Sequence, residues 1–96
     1  MTTLKLKARI ASDETGEDSI LEFMELASMG EPICDGSETG ELSAAYSILP
    51  GRGGIVYAVD EESTQYLWTY DHQKDAAPEK ADIEAAIKAA GKESHP

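Results

Sequence analysis

The sequence predicts an α+β domain: an antiparallel sheet of about four strands with two helices packed on one face, in the order β-α-β-β-β-α. Three observations predict this class. The spacing of the apolar residues switches between every second position and every third or fourth position along the chain. Glycine and proline separate the periodic segments. The chain has 96 residues, 41% of them hydrophobic, which suits a single domain over residues 1–96.

The first predicted element is a strand over residues 4–10, where apolar and basic side chains alternate. We expect the core-facing side to comprise Leu4, Leu6, Ala8 and Ile10. We expect the solvent-facing side to comprise Lys5, Lys7 and Arg9. This segment holds no continuous apolar stretch, so no signal peptide is expected. No run of about eighteen apolar residues occurs in the chain, so no membrane span is expected either.

The second predicted element is a helix over residues 18–29. Its apolar residues recur at helical spacing on the side that we expect to face the sheet, namely Ile20, Phe23, Met24 and Ala27. Gly30 and Pro32 are typical of the end of a helix. Residues 31–41, which also contain Gly36 and Gly40, are predicted to form a loop.

Three β-rich segments and a second helix follow. Strands are expected over residues 42–49, 55–60 and 64–70. The turn-forming residues 50–54 predict a hairpin between the first two of these strands. The helix is expected over residues 79–90, with Gly91 as its C-cap and residues 92–96 as a frayed tail.

The aromatic side chains of these strands could share one face of the sheet: Tyr46, Tyr57, Tyr66, Trp68 and Tyr70. Two interpretations of that face stay open. It is partly core, or its exposed rings act with Asp60, Glu61 and Glu62 to bind arginines of a protein partner.

The formal net charge is -11, from 19 acidic and 8 basic residues. Such a chain repels nucleic acid and anionic membranes, so neither is expected as a direct partner. A basic protein surface is the expected partner instead. Cys34 is the only cysteine, which excludes an intramolecular disulfide and favours a reducing cytoplasm.

The acidic residues are strongly segregated. Between Ala11 and Gly51 there are ten acids and no lysine or arginine. These candidate partner-binding residues are Asp13, Glu14, Glu17, Asp18, Glu22, Glu25, Glu31, Asp35, Glu38 and Glu41. Asp18, Glu22 and Glu25 fall on one side of the predicted helix, where like-charge pairs cost about 0.2 to 0.5 kcal/mol each. Their spacing along the helix axis, roughly 4.5 to 6 Å, is close to that of phosphates along a nucleic-acid strand.

Other kinds of site find less support in the sequence. The pair Asp71 and His72 is the only candidate for acid–base chemistry before the C-terminal tail, so we expect no enzyme and no catalytic residue. Cys34, His72 and His95 lack the spacing of metal ligands, so no metal and no cofactor are expected. An acidic surface that merely keeps the chain soluble, or that serves a plain protein-protein adaptor, remains an alternative to a dedicated binding surface.

The start Met1-Thr2-Thr3-Leu4, the basic first strand, the acid-only stretch from Asp13 to Glu41 and the small α+β pattern resemble the phage-encoded anti-CRISPR proteins, in particular the acidic type I-F inhibitors that act as DNA mimics. The resemblance covers the whole chain. It implies a non-enzymatic inhibitor in the host cell cytoplasm that occupies the basic DNA-binding surface of a type I CRISPR surveillance complex. A DNA mimic that acts on a restriction enzyme or a DNA-repair enzyme is the alternative target class.

Overall fold

The computed structural model describes residues 3–10, 18–36, 38–51 and 53–93. Within them the chain forms a sheet and two helices. The elements in chain order are β1 (Lys5–Ile10), α1 (Asp18–Ser28), β2 (Glu31–Cys34), β3 (Ser43–Leu49), β4 (Gly53–Val59), β5 (Gln65–Tyr70) and α2 (Lys80–Glu93). The α+β class is confirmed, and the sheet has five strands where about four were expected.

All neighbouring strands are antiparallel, and their order across the sheet is β1-β5-β4-β3-β2. Strands β2 to β5 form a meander of consecutive hairpins, and β1 pairs with the last of them. The two edge strands are therefore β1 and β2, which are adjacent strands in sequence. With about 4.8 Å between neighbouring strands, the two edges lie roughly 19 Å apart.

The additional strand is β2, which lies where the sequence predicted a loop. Glu31 pairs with Tyr46 and Pro32 pairs with Ala45, so the chain continues the sheet directly after α1. Proline is tolerated at this position because an edge strand has no partner on its outer side. The loop prediction was wrong for residues 31–34, because proline is compatible with an edge strand, where it also limits pairing with other chains.

The two helices pack on opposite faces of the sheet, which corrects the prediction that both cover one face. On β4, Ile55 packs with Ala27 of α1, whereas its neighbour Val56 packs with Ile83 of α2. Successive residues of a strand point to opposite faces, and both Ile55 and Val56 are buried. A strand that is buried on both faces needs a cover on each of them. The corresponding sequence signal is the unbroken apolar run of residues 55–59.

Strand β1 contains a β-bulge that overturns the predicted exposure of Arg9. The register shifts between Leu6 and Ala8, which places Arg9 opposite Tyr66. Paired residues lie on the same face, so Arg9 lies on the face that carries α2. Its guanidinium stacks 5.5 Å from the centroid of the Tyr66 ring and donates a hydrogen bond to the carbonyl of Ala90 near the end of α2. One inserted residue reverses the alternation, and the spacing of the apolar residues does not reveal it.

The aromatic side chains are divided between the two faces, so the prediction of one shared face is wrong. Tyr66 and Trp68 are buried beneath α2, where their rings stack with centroids 5.2 Å apart. Tyr70 is buried on the same face, and Tyr46 is half-buried there. Tyr57 packs on the α1 face instead. Most of these rings are therefore core.

Helix α2 begins with one half of a capping box, since the backbone N–H of Glu79 donates to the carboxylate of Asp82 at 2.9 Å. Gly91 was predicted to end this helix, but it lies inside the helix, which ends at Glu93. A glycine inside a helix lowers stability by about 1 kcal/mol relative to alanine, and at Gly91 this cost is too small to end the helix. Of the tail predicted to fray, residues 94–96 lie outside the described residues.

Candidate acidic protein-binding surface

The ten candidate acids are described to different extents. Asp13, Glu14 and Glu17 lie outside the described residues, and Asp18 is described only through its backbone at the start of α1. The other six are all exposed, and we call them the acidic edge: Glu22, Glu25, Glu31, Asp35, Glu38 and Glu41. They lie on α1, on β2 and in the loop between β2 and β3.

Helix α1 turns its carboxylates to solvent because its apolar residues face the sheet. Phe23, Met24 and Ala27 pack against β4 and β5 residues, as the helical spacing predicted. Glu22 and Glu25 lie on the exposed side. Residues three apart on a helix have Cβ atoms about 5 to 6 Å apart, so these two carboxylates repel each other across a short distance.

A shallow groove joins the segments that carry the acidic edge. Its lining includes Ser28 at the end of α1, Pro32 of β2 and Asp35 of the following loop. The three segments are therefore neighbours in space as well as in sequence. Their acids lie over both faces of the sheet, because α1 covers one face and the Glu31 carboxylate bonds to Tyr46 on the other.

Several acidic residues outside the acidic edge stabilise the fold. The Asp60 carboxylate accepts the backbone N–H groups of Glu62 and Thr64, both at 2.9 Å, and the Tyr66 hydroxyl at 2.8 Å. Asp71 accepts the backbone N–H of Gln73 at 3.0 Å. Together with the cap on α2, these contacts give three carboxylates of the C-terminal half, those of Asp60, Asp71 and Asp82, structural roles.

Most carboxylates of the acidic edge have no such role. Within the described residues, no hydrogen bond or ion pair involves the side chains of Glu22, Glu25, Glu38 or Glu41. Asp35 differs, since it accepts a long hydrogen bond of 3.5 Å from the Ser43 hydroxyl and has a further interaction. The fold therefore does not account for the four glutamates.

Glu31 is the one glutamate of the acidic edge that is held in place. The Tyr46 hydroxyl donates to its carboxylate at 2.6 Å, across the β2–β3 pair. This hydrogen bond is the main cause that raises the pKa of Tyr46 above its ordinary value. Sequence reasoning identified Glu31 but missed Tyr46 as its partner, because strand register cannot be read from spacing alone.

The basic residues of β1 lie at the opposite edge of the sheet. Lys5 and Lys7 are exposed there, as predicted, and positive side chains on an edge strand limit its pairing with other chains. The sheet order thus separates Lys5 and Lys7 on β1 from Glu31 on β2 by the whole width of the sheet.

The other candidate sites of the sequence do not assemble in the described residues. The Asp71 carboxylate bonds to the main chain, and Nδ1 of His72 is buried without a hydrogen-bond partner there. Burial raises the pKa of the Cys34 thiol. Among the described residues, no three His, Cys, Asp or Glu side chains are grouped so that they could hold a metal ion. Neither helix is long and apolar enough in its described part to cross a membrane.

Comparisons of the chain with protein-family models, with curated proteins and with solved structures found no match.

Proposed function

We propose that this chain is a non-enzymatic inhibitor whose acidic edge imitates DNA and blocks the DNA-binding surface of another protein. A type I CRISPR surveillance complex is the target that the resemblance implies. The proposal depends on one observation above all: Glu22, Glu25, Glu38 and Glu41 are exposed and lack any pairing within the described residues.

Electrostatics favour this reading over an acidic surface that only provides solubility. Charges of mixed sign are sufficient for solubility, whereas every charged residue among residues 12–50 is acidic. Like-charge neighbours on α1 cost stability, and the fold gains nothing from them in return. A cationic receptor recovers that energy, because each carboxylate then gains an opposite charge.

The geometry also suits a groove that holds DNA. The carboxylates on helix α1, on edge strand β2 and in the loop after β2 are all exposed, and the three segments adjoin one shallow groove. A groove lined by lysine and arginine binds phosphates mainly through charge, so it accepts carboxylates at similar spacing. Association should be fast and should weaken steeply with salt.

A DNA-displacement assay tests the proposal. A purified type I-F surveillance complex is loaded with labelled target duplex, and this chain is added at increasing concentration. We expect release of the duplex at close to one chain per complex, with weaker inhibition as salt rises. A restriction enzyme and a DNA-repair glycosylase, assayed in the same way, test the other DNA-mimic targets. If none of these proteins loses its DNA, the DNA-mimic function is wrong.

A further inference from the structure

One part of the sheet face that carries α2 is left uncovered, next to the acidic edge. Tyr46 and Ile48 lie on this face of β3, since residues two apart on a strand share a face. Tyr46 is half-buried and Ile48 is 52% exposed. We call the group formed by Tyr46, Ile48, Tyr70 and Glu31 the anchor corner.

Tyr70 supplies an unused hydrogen-bonding group to the anchor corner. Its side chain is only 6% exposed, and its hydroxyl has no hydrogen-bond partner among the described residues. The ring lies directly over Gly54, where a Cβ atom would come within 2.3 Å of it. Gly54 pairs with Tyr70 on one side and with Ile48 on the other, so the ring extends from β5 towards Ile48.

An unpartnered buried hydroxyl costs about 1 to 3 kcal/mol, which a binding partner can relieve. Tyr46 packs against the same buried cluster that contains Tyr70. Ile48 is the exposed side chain at the β3 position opposite Gly54, over which the Tyr70 ring lies. A segment that packs on Ile48 thus comes near the Tyr70 hydroxyl.

Glu31 and Tyr46 add a recognition element for a cation. The carboxylate is exposed and fixed by the 2.6 Å hydrogen bond, so little side-chain entropy is lost when it binds. A guanidinium can pair with this carboxylate and stack on the adjacent ring, which a lysine ammonium does less well. Phosphate groups of a nucleic acid would be repelled at the same place.

We propose that the anchor corner binds an arginine-containing, partly apolar segment of a protein partner, in addition to the electrostatic contact of the acidic edge. The inference rests on the proposed function and deepens it, because it gives the complex a component that salt does not screen. The arginine pairs with Glu31 and Tyr46, an aliphatic side chain packs on Ile48, and binding opens the buried Tyr70 hydroxyl to a polar group of the segment.

The test uses two capped peptides as probes, one with a leucine between two arginines and one with glycine in place of the leucine. Binding to the ¹⁵N-labelled chain is followed by NMR. We expect the leucine peptide to shift the amide signals of Glu31, Tyr46 and Ile48. These shifts should persist at about 1 M salt, where the Debye length is about 3 Å, whereas those of the glycine peptide should vanish.

Two variants and a control make the result specific. Ile48→Ser removes the apolar contact, and Leu6→Ser is its matched control because Leu6 is 36% exposed on the opposite edge strand. Tyr70→Phe removes only the hydroxyl, which has no partner in the described part of the chain, so the fold should be at least as stable as the wild type. Ile48→Ser and Tyr70→Phe should each weaken binding of the leucine peptide by about 2- to 10-fold, the equivalent of one lost contact, and Leu6→Ser should not.

The anchor corner is refuted if the two peptides bind alike, or if both Ile48→Ser and Tyr70→Phe bind the leucine peptide as the wild type does. The DNA-displacement assay reports on the acidic edge independently. If the chain displaces DNA but binds the two peptides alike, only the anchor corner is refuted. If the chain binds the leucine peptide specifically but displaces no DNA, only the DNA-mimic function is refuted.

Discussion

At the scale of single residues, the carboxylates divide by what they bond to. Asp60, Asp71 and Asp82 each accept a main-chain N–H and so help to fix a turn or a helix start. Glu22 and Glu25 are exposed and have no such contact in the described structure. Substitution should therefore affect stability in the first group and binding in the second.

Asp60→Ala should lower the free energy of unfolding by about 2 to 3 kcal/mol. The change removes the carboxylate that accepts hydrogen bonds from two main-chain N–H groups, those of Glu62 and Thr64, and from the Tyr66 hydroxyl. These three donors are then left without their acceptor. Urea denaturation followed by tryptophan fluorescence measures the effect. Glu61→Ala, at the exposed neighbouring position, is the control and should stay within about 0.5 kcal/mol of the wild type.

The raised pKa values of three tyrosines predict that the free energy of unfolding decreases at alkaline pH. The pKa of Tyr66 is raised by burial and by its hydrogen bond to Asp60, and burial also raises the pKa of Tyr57 and Tyr70. A raised pKa means that the folded state favours the neutral phenol. The resulting stability is fully present below the ordinary tyrosine pKa of about 10 and is lost as pH rises through the folded-state values.

Titration of tyrosinate absorbance, with the fold followed in parallel by circular dichroism, checks this behaviour. Ionisation of these tyrosines should begin above about pH 10 and should coincide with unfolding. Ionisation at the ordinary pKa with the fold intact would show that the phenols are not protected.

At the scale of elements, helix α1 combines a conventional core-facing side with an unfavourable exposed side. Its last turn has no basic residue, although a cation there would interact well with the helix dipole. An element shaped only for stability would place lysine at such a position. The acidic side of α1 is therefore the clearest local sign of a binding role.

Glu25→Lys should leave the fold intact and raise its stability by about 0.3 to 1 kcal/mol. The substitution removes the repulsion from Glu22 and places a positive charge in the last turn of α1. Thermal unfolding at low salt measures this gain, and high salt should reduce it. Reduced stability would mean that Glu25 has a structural role.

Elements with their own local period could be predicted from the sequence. The apolar side of α1, the hairpin at residues 50–54 and the strands β3 to β5 follow from spacing and turn residues. The bulge that turns Arg9 to the α2 face, the pairing of β2 and the bond between Tyr46 and Glu31 depend on register, which is a tertiary property. For the candidate site, the acidic residues and their exposure could be predicted from the sequence. The anchor corner could not, because it depends on the register of β3, β4 and β5.

At the scale of the whole molecule, the sheet order converts a pattern in the sequence into a pattern in space. Strand β1, which carries Lys5 and Lys7, and strand β2, which carries Glu31, are consecutive strands in the sequence, yet they occupy opposite edges of the sheet. The formal net charge of -11 therefore does not describe an evenly charged surface. In the proposed complex, this separation would orient the chain in the electric field of a cationic groove.

The central claim is that the position of the carboxylates matters, and two variants of equal charge test it. Glu22→Lys combined with Glu25→Lys raises the formal net charge from -11 by two units per substitution, to -7. Glu61→Lys combined with Glu84→Lys makes the same change at exposed sites outside the acidic edge. Both variants should remain folded, as circular dichroism can verify.

The decisive measurement is the dissociation constant of each variant for the purified type I-F surveillance complex at low salt. We expect the Glu22/Glu25 variant to bind at least about tenfold more weakly than the wild type, a loss of about 1.4 kcal/mol, and the Glu61/Glu84 variant to stay close to the wild type. Equal weakening by both variants would contradict the account, because it would show that only total charge matters.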